Sequence, residues 1–320
     1  MIILKLIALS FQIALANTAL ANFQFKISPS EIRTRLQELS HRPWNGQMAE
    51  SNAVELKNCK ISKVKILVRA QSGEAWPFEF TLTRPTKVNP APLVMIVPTI
   101  ERSTPLESTL LYQFCQAGVA SALIDANDNS HPDPLSGWNH ENIILRKTII
   151  TIRTILDWAQ QDPRFDQQRI SLYGHSLGGI TASLMAGVEN KRFNSIIVAV
   201  GAGNMPGVMT HSIYFRVASL KVRRMAATKM YSLDDYESTL QKSIRYDPLY
   251  FSSLVRPSKM YFVMASGDLS VPFRYQLQTH QAFGSPDYHL FSPGSHVDGM
   301  IRLATVDFYK LLPSVLEVKR

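Results

Sequence analysis

The 320-residue sequence has only two cysteines, Cys59 and Cys115, too few for a disulfide framework or a cysteine-built metal site. It has no internal repeat and no low-complexity linker, which favours one principal domain over an array. Its longest N-terminal apolar run, Leu6 to Leu15, is broken by Ser10 and Gln12 and is too short to span a bilayer. Acidic residues are in deficit, 25 against 34 basic ones, so the chain carries +9 at pH 7. That balance biases encounters toward anionic partners, but no DNA- or RNA-reading motif accompanies it, and a nucleic-acid partner is not expected. With 45% hydrophobic residues, 15 glycines and 18 prolines the composition is neither fibrous nor disordered, and it can bury a sizeable core.

Met1 to Ala21 carry a single cation, Lys5, ahead of the apolar run, then two small-x-small sites, Ala14-Leu15-Ala16 and Ala19-Leu20-Ala21. This order predicts a signal peptide over 1–21, cleaved after Ala21 or alternatively after Ala16, and a mature chain 22–320 exported to the periplasm or secreted. An uncleaved anchor or an N-terminal hydrophobic strand is the plainer reading. No cysteine follows either site, so nothing marks a lipoprotein. Export permits Cys59 and Cys115 to pair, yet sequence does not give their Cα separation, and Cys115, within a helical pattern, reads as a buried apolar residue.

Ser28-Pro29-Ser30-Glu31 has the form of a capped helix start, and the helix should run to about Ser40. Lys63 to Ala70 and Trp76 to Thr83, separated by Gln71-Ser72-Gly73-Glu74, predict an antiparallel hairpin. From Leu93 onward, fully apolar strands alternate with helical segments. Strands are expected at Leu93–Val97, Val119–Ile124, Arg169–Tyr173, Ser195–Val200, Lys259–Ala265 and Tyr288–Phe291, and helices around Leu106–Ala117 and Glu141–Gln160. Apolar strands with helical crossovers imply an α/β fold with a mostly parallel sheet covered on both faces.

Gly174-His175-Ser176-Leu177-Gly178-Gly179 lies between one of these strands and a small-residue helix beginning near Ile180. A serine on a tight strand-to-helix turn has a strained backbone, and the flanking glycines leave room for the turn and for neighbouring chain. Its hydroxyl stands at a helix N-terminus, where free amides favour developing negative charge. A glycine-rich packing turn or a phosphate loop is the alternative, but no lysine follows as a P-loop requires.

On this motif and its flanks the sequence resembles the α/β-hydrolase superfamily, from about residue 60 to 315, and within it the dienelactone hydrolase and acyl-esterase branch. A serine stands where dienelactone hydrolases carry cysteine, which implies ordinary ester chemistry. The resemblance implies that an acid and a histidine follow the serine in the chain. Asp268, in Ser266-Gly267-Asp268-Leu269-Ser270-Val271-Pro272, resembles the family's acid loop. His296, in Ser292-Pro293-Gly294-Ser295-His296, occupies a small-residue loop 28 residues further on, room enough for one helix and one strand to return it to the same sheet edge. His289 and His280 lie within predicted elements, His131 and His140 precede the serine, and His175 should point away from its neighbour Ser176. Asp298 is the alternate acid. A turn or helix-cap role competes for Asp268.

Two aligned donors should hold the oxyanion of acyl transfer. One is the backbone N–H of Leu177. The other belongs to the loop Pro98-Thr99-Ile100-Glu101-Arg102-Ser103, where proline cannot donate and where the resemblance maps the donor to Ile100. Glu101 and Arg102 either pair at the surface or line the entrance. Residues 202–256 leave the strand-helix rhythm and are expected to form a helical lid. From Asn190 to Leu233 there is no acidic residue, while Arg216, Lys221, Arg223, Arg224 and Lys229 are basic and Met205, Met209, Met225 and Met230 are soft and apolar. Helices with an apolar underside and a cationic exterior are expected, able to form an acyl pocket or to touch anionic lipid.

Together these readings predict an exported serine esterase using Ser176, His296 and Asp268 on a small-molecule or lipid-like ester, with no metal or organic cofactor, since zinc and dinucleotide fingerprints are absent. A peptidase or thioesterase on the same fold is the chemical alternative. A non-catalytic protein of that fold, binding lipid or a partner through the lid, is the alternative of another class.

Overall fold

The computed structural model describes residues 27–46, 48–51, 53–99, 104–124, 137–189, 191–287 and 289–317. The predicted signal peptide over 1–21, Ile100, Glu101, Arg102 and His131 lie outside them. The chain opens with α1 (Pro29–Glu38), whose N-cap Ser28 accepts from the Glu31 amide while Glu31 pairs with Arg35 rather than closing back on the cap. Two short strands, β1 (Met48–Glu50) and β2 (Val54–Leu56), then flank the hairpin of β3 (Cys59–Arg69) and β4 (Ala75–Pro85). Each short strand is three residues long, and β2 has all three residues exposed. Along β3, Val64, Ile66 and Val68 are buried while Lys63 and Lys65 face water, the alternation of a sheet covered on one side.

The alternating part comprises β5 (Ala91–Val97), α2 (Pro105–Gln116), β6 (Ala120–Leu123), α3 (His140–Gln161), β7 (Phe165–His175), α4 (Leu177–Val188) and β8 (Ser195–Ala199). After an insertion come β9 (Met260–Ala265), α8 (Phe273–Ala282), β10 (His289–Ser292), α9 (His296–Ala304) and α10 (Phe308–Leu316). The strands join one sheet in the order β1-β3-β4-β6-β5-β7-β8-β9-β10, with β2 on β3; pairing is antiparallel as far as β6 and parallel beyond it. Every residue of β5 is buried, and its side chains divide between two cores. Leu93, Met95 and Val97 meet Ile149, Ile152 and Leu184 of α3 and α4 on one face, and Val94 and Ile96 meet Leu110, Phe114, Phe308 and Leu311 of α2 and α10 on the other.

Cys59 and Cys115 form a disulfide, with Cα atoms 6.0 Å apart, that ties the start of β3 to the last turn of α2. The expectation that Cys115 merely packs is therefore corrected. Both residues are buried, and the fold brings together positions that the linear sequence separates.

The insertion contains α5 (Met205–His211), α6 (Phe215–Thr228), α7 (Leu233–Ser243) and a 3₁₀ segment (Pro248–Leu254). Its entrance and exit are joined at Asp247, a fully buried carboxylate accepting from the amides of Asn204 (3.0 Å), Met205 (2.5 Å) and Leu249 (2.9 Å). Met205 and Met209 pack into the main core. The cationic exterior is only partial: Arg224 is buried, pairs with Glu141 at 2.9 Å and stacks on the Trp138 ring, and Lys221 is half-buried and donates to the Thr210 carbonyl oxygen. Arg223 and Lys229 remain exposed.

Candidate active site

β7 ends at His175 and α4 starts at Leu177, which leaves Ser176 as the single residue of the turn, with φ 57° and ψ −120°. A non-glycine residue in this region is strained, and here the strain is held by the Ser176 amide donating to Ala199 at 3.0 Å and by close glycine contacts. A Cβ on Gly174 would lie 2.0 Å from the Gly178 carbonyl oxygen, and a Cβ on Gly178 would lie 2.0 Å from that of Val97. The first contact lets the helix fold back on its strand. The second seats the start of α4 against the end of β5.

The Ser176 hydroxyl is 2.9 Å from His296 Nε2, and His296 Nδ1–H donates to Asp268 Oδ2 at 2.6 Å. The Asp268 side chain is wholly buried just beyond β9. Its Oδ1 accepts from the amides of Ser270 and Val271 at 2.8 and 2.9 Å, and its Oδ2 also accepts from Gln276 Nε2 at 2.8 Å. The carboxylate is thus fixed from four directions and can hold the imidazole in one orientation.

His296 is the first residue of α9 rather than part of a loop, because Ser295 caps the helix and Asp298 returns the bond. Asp298 is committed to that role: its carboxylate accepts from the Ser295 amide and hydroxyl, both at 2.8 Å, and these bonds hold its pKa below the usual carboxylate value. The structure brings Ser176, His296 and Asp268 together and leaves Asp298 outside the chain of hydrogen bonds.

A family model for the prolyl oligopeptidase family matches residues 151–287, less than half of the chain, a span that includes Ser176 and Asp268 and ends before His296. No curated protein is significantly similar to the chain in sequence. Among solved structures, the acetyl xylan esterase from Paenibacillus sp. R4 superposes with a TM-score of 0.64 at 16% identity, covering 86% of this chain and 92% of its own. Acetyl xylan esterase 1 from Thermoanaerobacterium sp. JW/SL YS485 gives 0.65 at 12% identity, with 88% and 95% covered. An S-formylglutathione hydrolase from Agrobacterium tumefaciens gives 0.57 at 15% identity, with 84% and 99% covered. The chain has the α/β-hydrolase fold.

In that fold Leu177 is the residue after the turn serine, and its N–H belongs to the first, unpaired turn of α4. Ile100 is outside the described residues; Pro98 and Thr99, just before it, are buried at the end of β5 beside Gly178. The remaining histidines serve other ends. His280 bonds to the Pro286 carbonyl oxygen, and burial lowers its pKa. His175 is completely buried and bonds to Glu107, also completely buried, at 2.8 Å. The sequence reading singled out neither Gln276 nor Glu107. Both are polar residues on buried helix faces, a signal visible only once each helix face has been assigned.

Proposed function

We propose that the protein is an exported serine esterase. The observation that carries this reading is the continuous hydrogen-bonded chain from Ser176 Oγ through His296 to Asp268, at 2.9 and 2.6 Å. In the reaction His296 Nε2 takes the hydroxyl proton as Ser176 Oγ bonds to the ester carbonyl carbon. The tetrahedral oxyanion is held by the Leu177 N–H and a second donor that we assign to Ile100 in the loop after β5. His296 returns the proton to the leaving alkoxide, the carbon–oxygen bond breaks, and water repeats the sequence on the acyl-enzyme. Asp268 keeps Nδ1 protonated throughout and balances the imidazolium. No metal or organic cofactor enters.

The named activities of the solved structures, acetyl xylan esterase above all, support a small acyl group. The prolyl oligopeptidase match keeps a peptidase as the chemical alternative, and the S-formylglutathione hydrolase keeps a thioesterase. The decisive experiment is labelling with a fluorophosphonate probe, expected for the wild type and lost in Ser176→Ala. A folded wild type that never reacts would favour the non-catalytic alternative.

Export is supported by the small-x-small sites ending at Ala16 and Ala21 and by the Cys59–Cys115 bond, which suits an oxidising compartment. Secretion with cleavage after Ala21 is checked by the N-terminal sequence of the exported protein. A lid surface meeting lipid is supported by Phe215, Val222 and Tyr231, exposed by 65%, 63% and 91%, alongside exposed Arg223 and Lys229. Co-sedimentation with phosphatidylglycerol vesicles but not phosphatidylcholine vesicles is the expected result.

A further inference from the structure

Behind the nucleophile turn lies a second chain of polar contacts that the triad does not use. Glu107, in the first turn of α2, divides its two oxygens between separate segments. Oε1 accepts from His175 Nε2 at 2.8 Å, and Oε2 accepts from the Thr104 amide at 2.6 Å and also from the Thr104 hydroxyl. Glu107 and His175 have no solvent-exposed surface. Burial alone would raise the Glu107 pKa, but the bonds from the His175 ring and the Thr104 side chain outweigh it and hold the pKa below its usual value. The group is therefore a carboxylate, and Nε2 of His175 is the donor.

Burying a carboxylate is costly, and helix capping alone does not require it, because a cap glutamate works equally well at the surface. What burial adds here is a connection. His175 is the residue before Ser176 and the last of β7, while Thr104 is the N-cap of α2 and closes the connection from β5. The other ring nitrogen of His175, Nδ1, is buried with no hydrogen-bond partner among the described residues, and among them Glu107 is what fixes the imidazole by hydrogen bonding. One carboxylate thus ties the turn that carries the nucleophile and the Leu177 amide to the start of the helix after β5.

We propose that Glu107 is a positioning residue for the serine turn and the oxyanion donor it carries: through His175 and Thr104 it holds the turn bearing Ser176 and the Leu177 amide against the first turn of α2. The proposal rests on the serine-esterase reading above. A group that aligns donors for the tetrahedral intermediate acts on the transition state, so its loss lowers kcat while KM stays nearly constant. A merely structural group would instead reduce the amount of folded enzyme and leave turnover per active site unchanged.

The test uses nitrophenyl acetate hydrolysis, with active sites counted by fluorophosphonate labelling and affinity measured for a boronic acid, which mimics the tetrahedral species. Glu107→Ala is expected to lower kcat per labelled site by about 30-fold, to leave KM within about twofold, and to weaken the boronic acid in parallel with kcat. Glu107→Gln keeps an acceptor for Thr104 and turns its NH2 toward His175, whose Nε2 accepts once the ring proton moves to Nδ1, so it should restore kcat to within about threefold of the wild type. Thr104→Val, which removes only the hydroxyl, should lower kcat by about threefold at constant KM. Folded Glu107→Ala with unchanged kcat and boronic acid affinity overturns the proposal. If Glu107→Ala does not fold, Thr104→Val decides, and unchanged values there overturn it. A wild type that fails to label sinks the esterase reading; a wild type that labels beside unaffected variants sinks this inference alone.

Discussion

Gly178→Ala is the perturbation whose effect follows most directly from the structure. The added Cβ would lie 2.0 Å from the Val97 carbonyl oxygen and 2.7 Å from that of Pro98, where ordinary contact begins at 3.4 Å. Both neighbours are backbone atoms, so neither can rotate aside, and the start of α4 must retreat from β5 by on the order of 1 Å. That retreat moves the Leu177 amide relative to the end of β5 at Val97 and Pro98. A displacement of this size at reacting atoms costs about 10²-fold in rate. Stability should respond less, because overpacking costs about 1–3 kcal/mol while alanine gains about 1 kcal/mol over glycine within a helix. Gly187→Ala supplies the control on the same helix. Its Cβ would lie 2.4 Å from the Phe251 Cβ and 2.9 Å from the Phe251 carbonyl oxygen, a comparable intrusion about 13 Å further along the axis. We expect similar losses of Tm in calorimetry for the two variants, and a large loss of kcat on nitrophenyl acetate only for Gly178→Ala. Should Gly178→Ala turn over within about threefold of the wild type per labelled site, the argument that this contact sets the oxyanion geometry is wrong.

Asp268→Asn should lower kcat by about 10⁴-fold by allowing the wrong imidazole tautomer, whereas Asp298→Asn should leave it within about twofold; the reverse order would reassign the acid. Replacing Cys59 and Cys115 together by alanine releases a loop of sequence separation 56, which the chain-entropy relation values at about 4 kcal/mol. A chemical-denaturation midpoint that does not fall would contradict the bridge, and thiol counting on the unfolded, unreduced wild type should find none. Asp157, against whose burial the bonds from His41 and Arg192 prevail, has its pKa held down from 3.8 to about 2. A depressed folded-state pKa stabilises above the unfolded value and loses its effect on acidification. The Tm advantage of the wild type over Asp157→Asn should therefore be full near pH 5 and shrink between about pH 4 and 2. An advantage that does not change with pH would remove Asp157 from the acid response.

Much of the fold was legible because its signals are local. The strand, glycine and small-residue succession around Ser176 is contained in one short stretch, and apolar runs separated by helical patterns announce doubly covered strands. What stayed hidden depends on contacts between distant segments. The Ser295–Asp298 capping pair makes His296 the start of a helix, and a loop reading of Pro293-Gly294 obscured it. Glu107 and His175 are separated by 68 positions and look unremarkable individually; only the stacking of α2 on the sheet makes them partners. Arg224 reads as one more lid cation until Glu141 and Trp138 are seen to enclose it. β1 and β2 are three-residue strands whose partner is the edge of β3, a pairing that runs too short a stretch to announce itself in the sequence.

The Asp247 clasp has a consequence for how this architecture can change. The chain departs from β8 and returns toward β9 through amides gathered on one side chain, while β8 and β9 remain in direct register from Ile196–Met260 to Ala199–Val263. The alignment of these two strands is therefore set by their own ladder and by the clasp, so the length and helix count of the cover between them can vary, while Met205, Met209 and Arg224 fix how this particular cover is seated on the core.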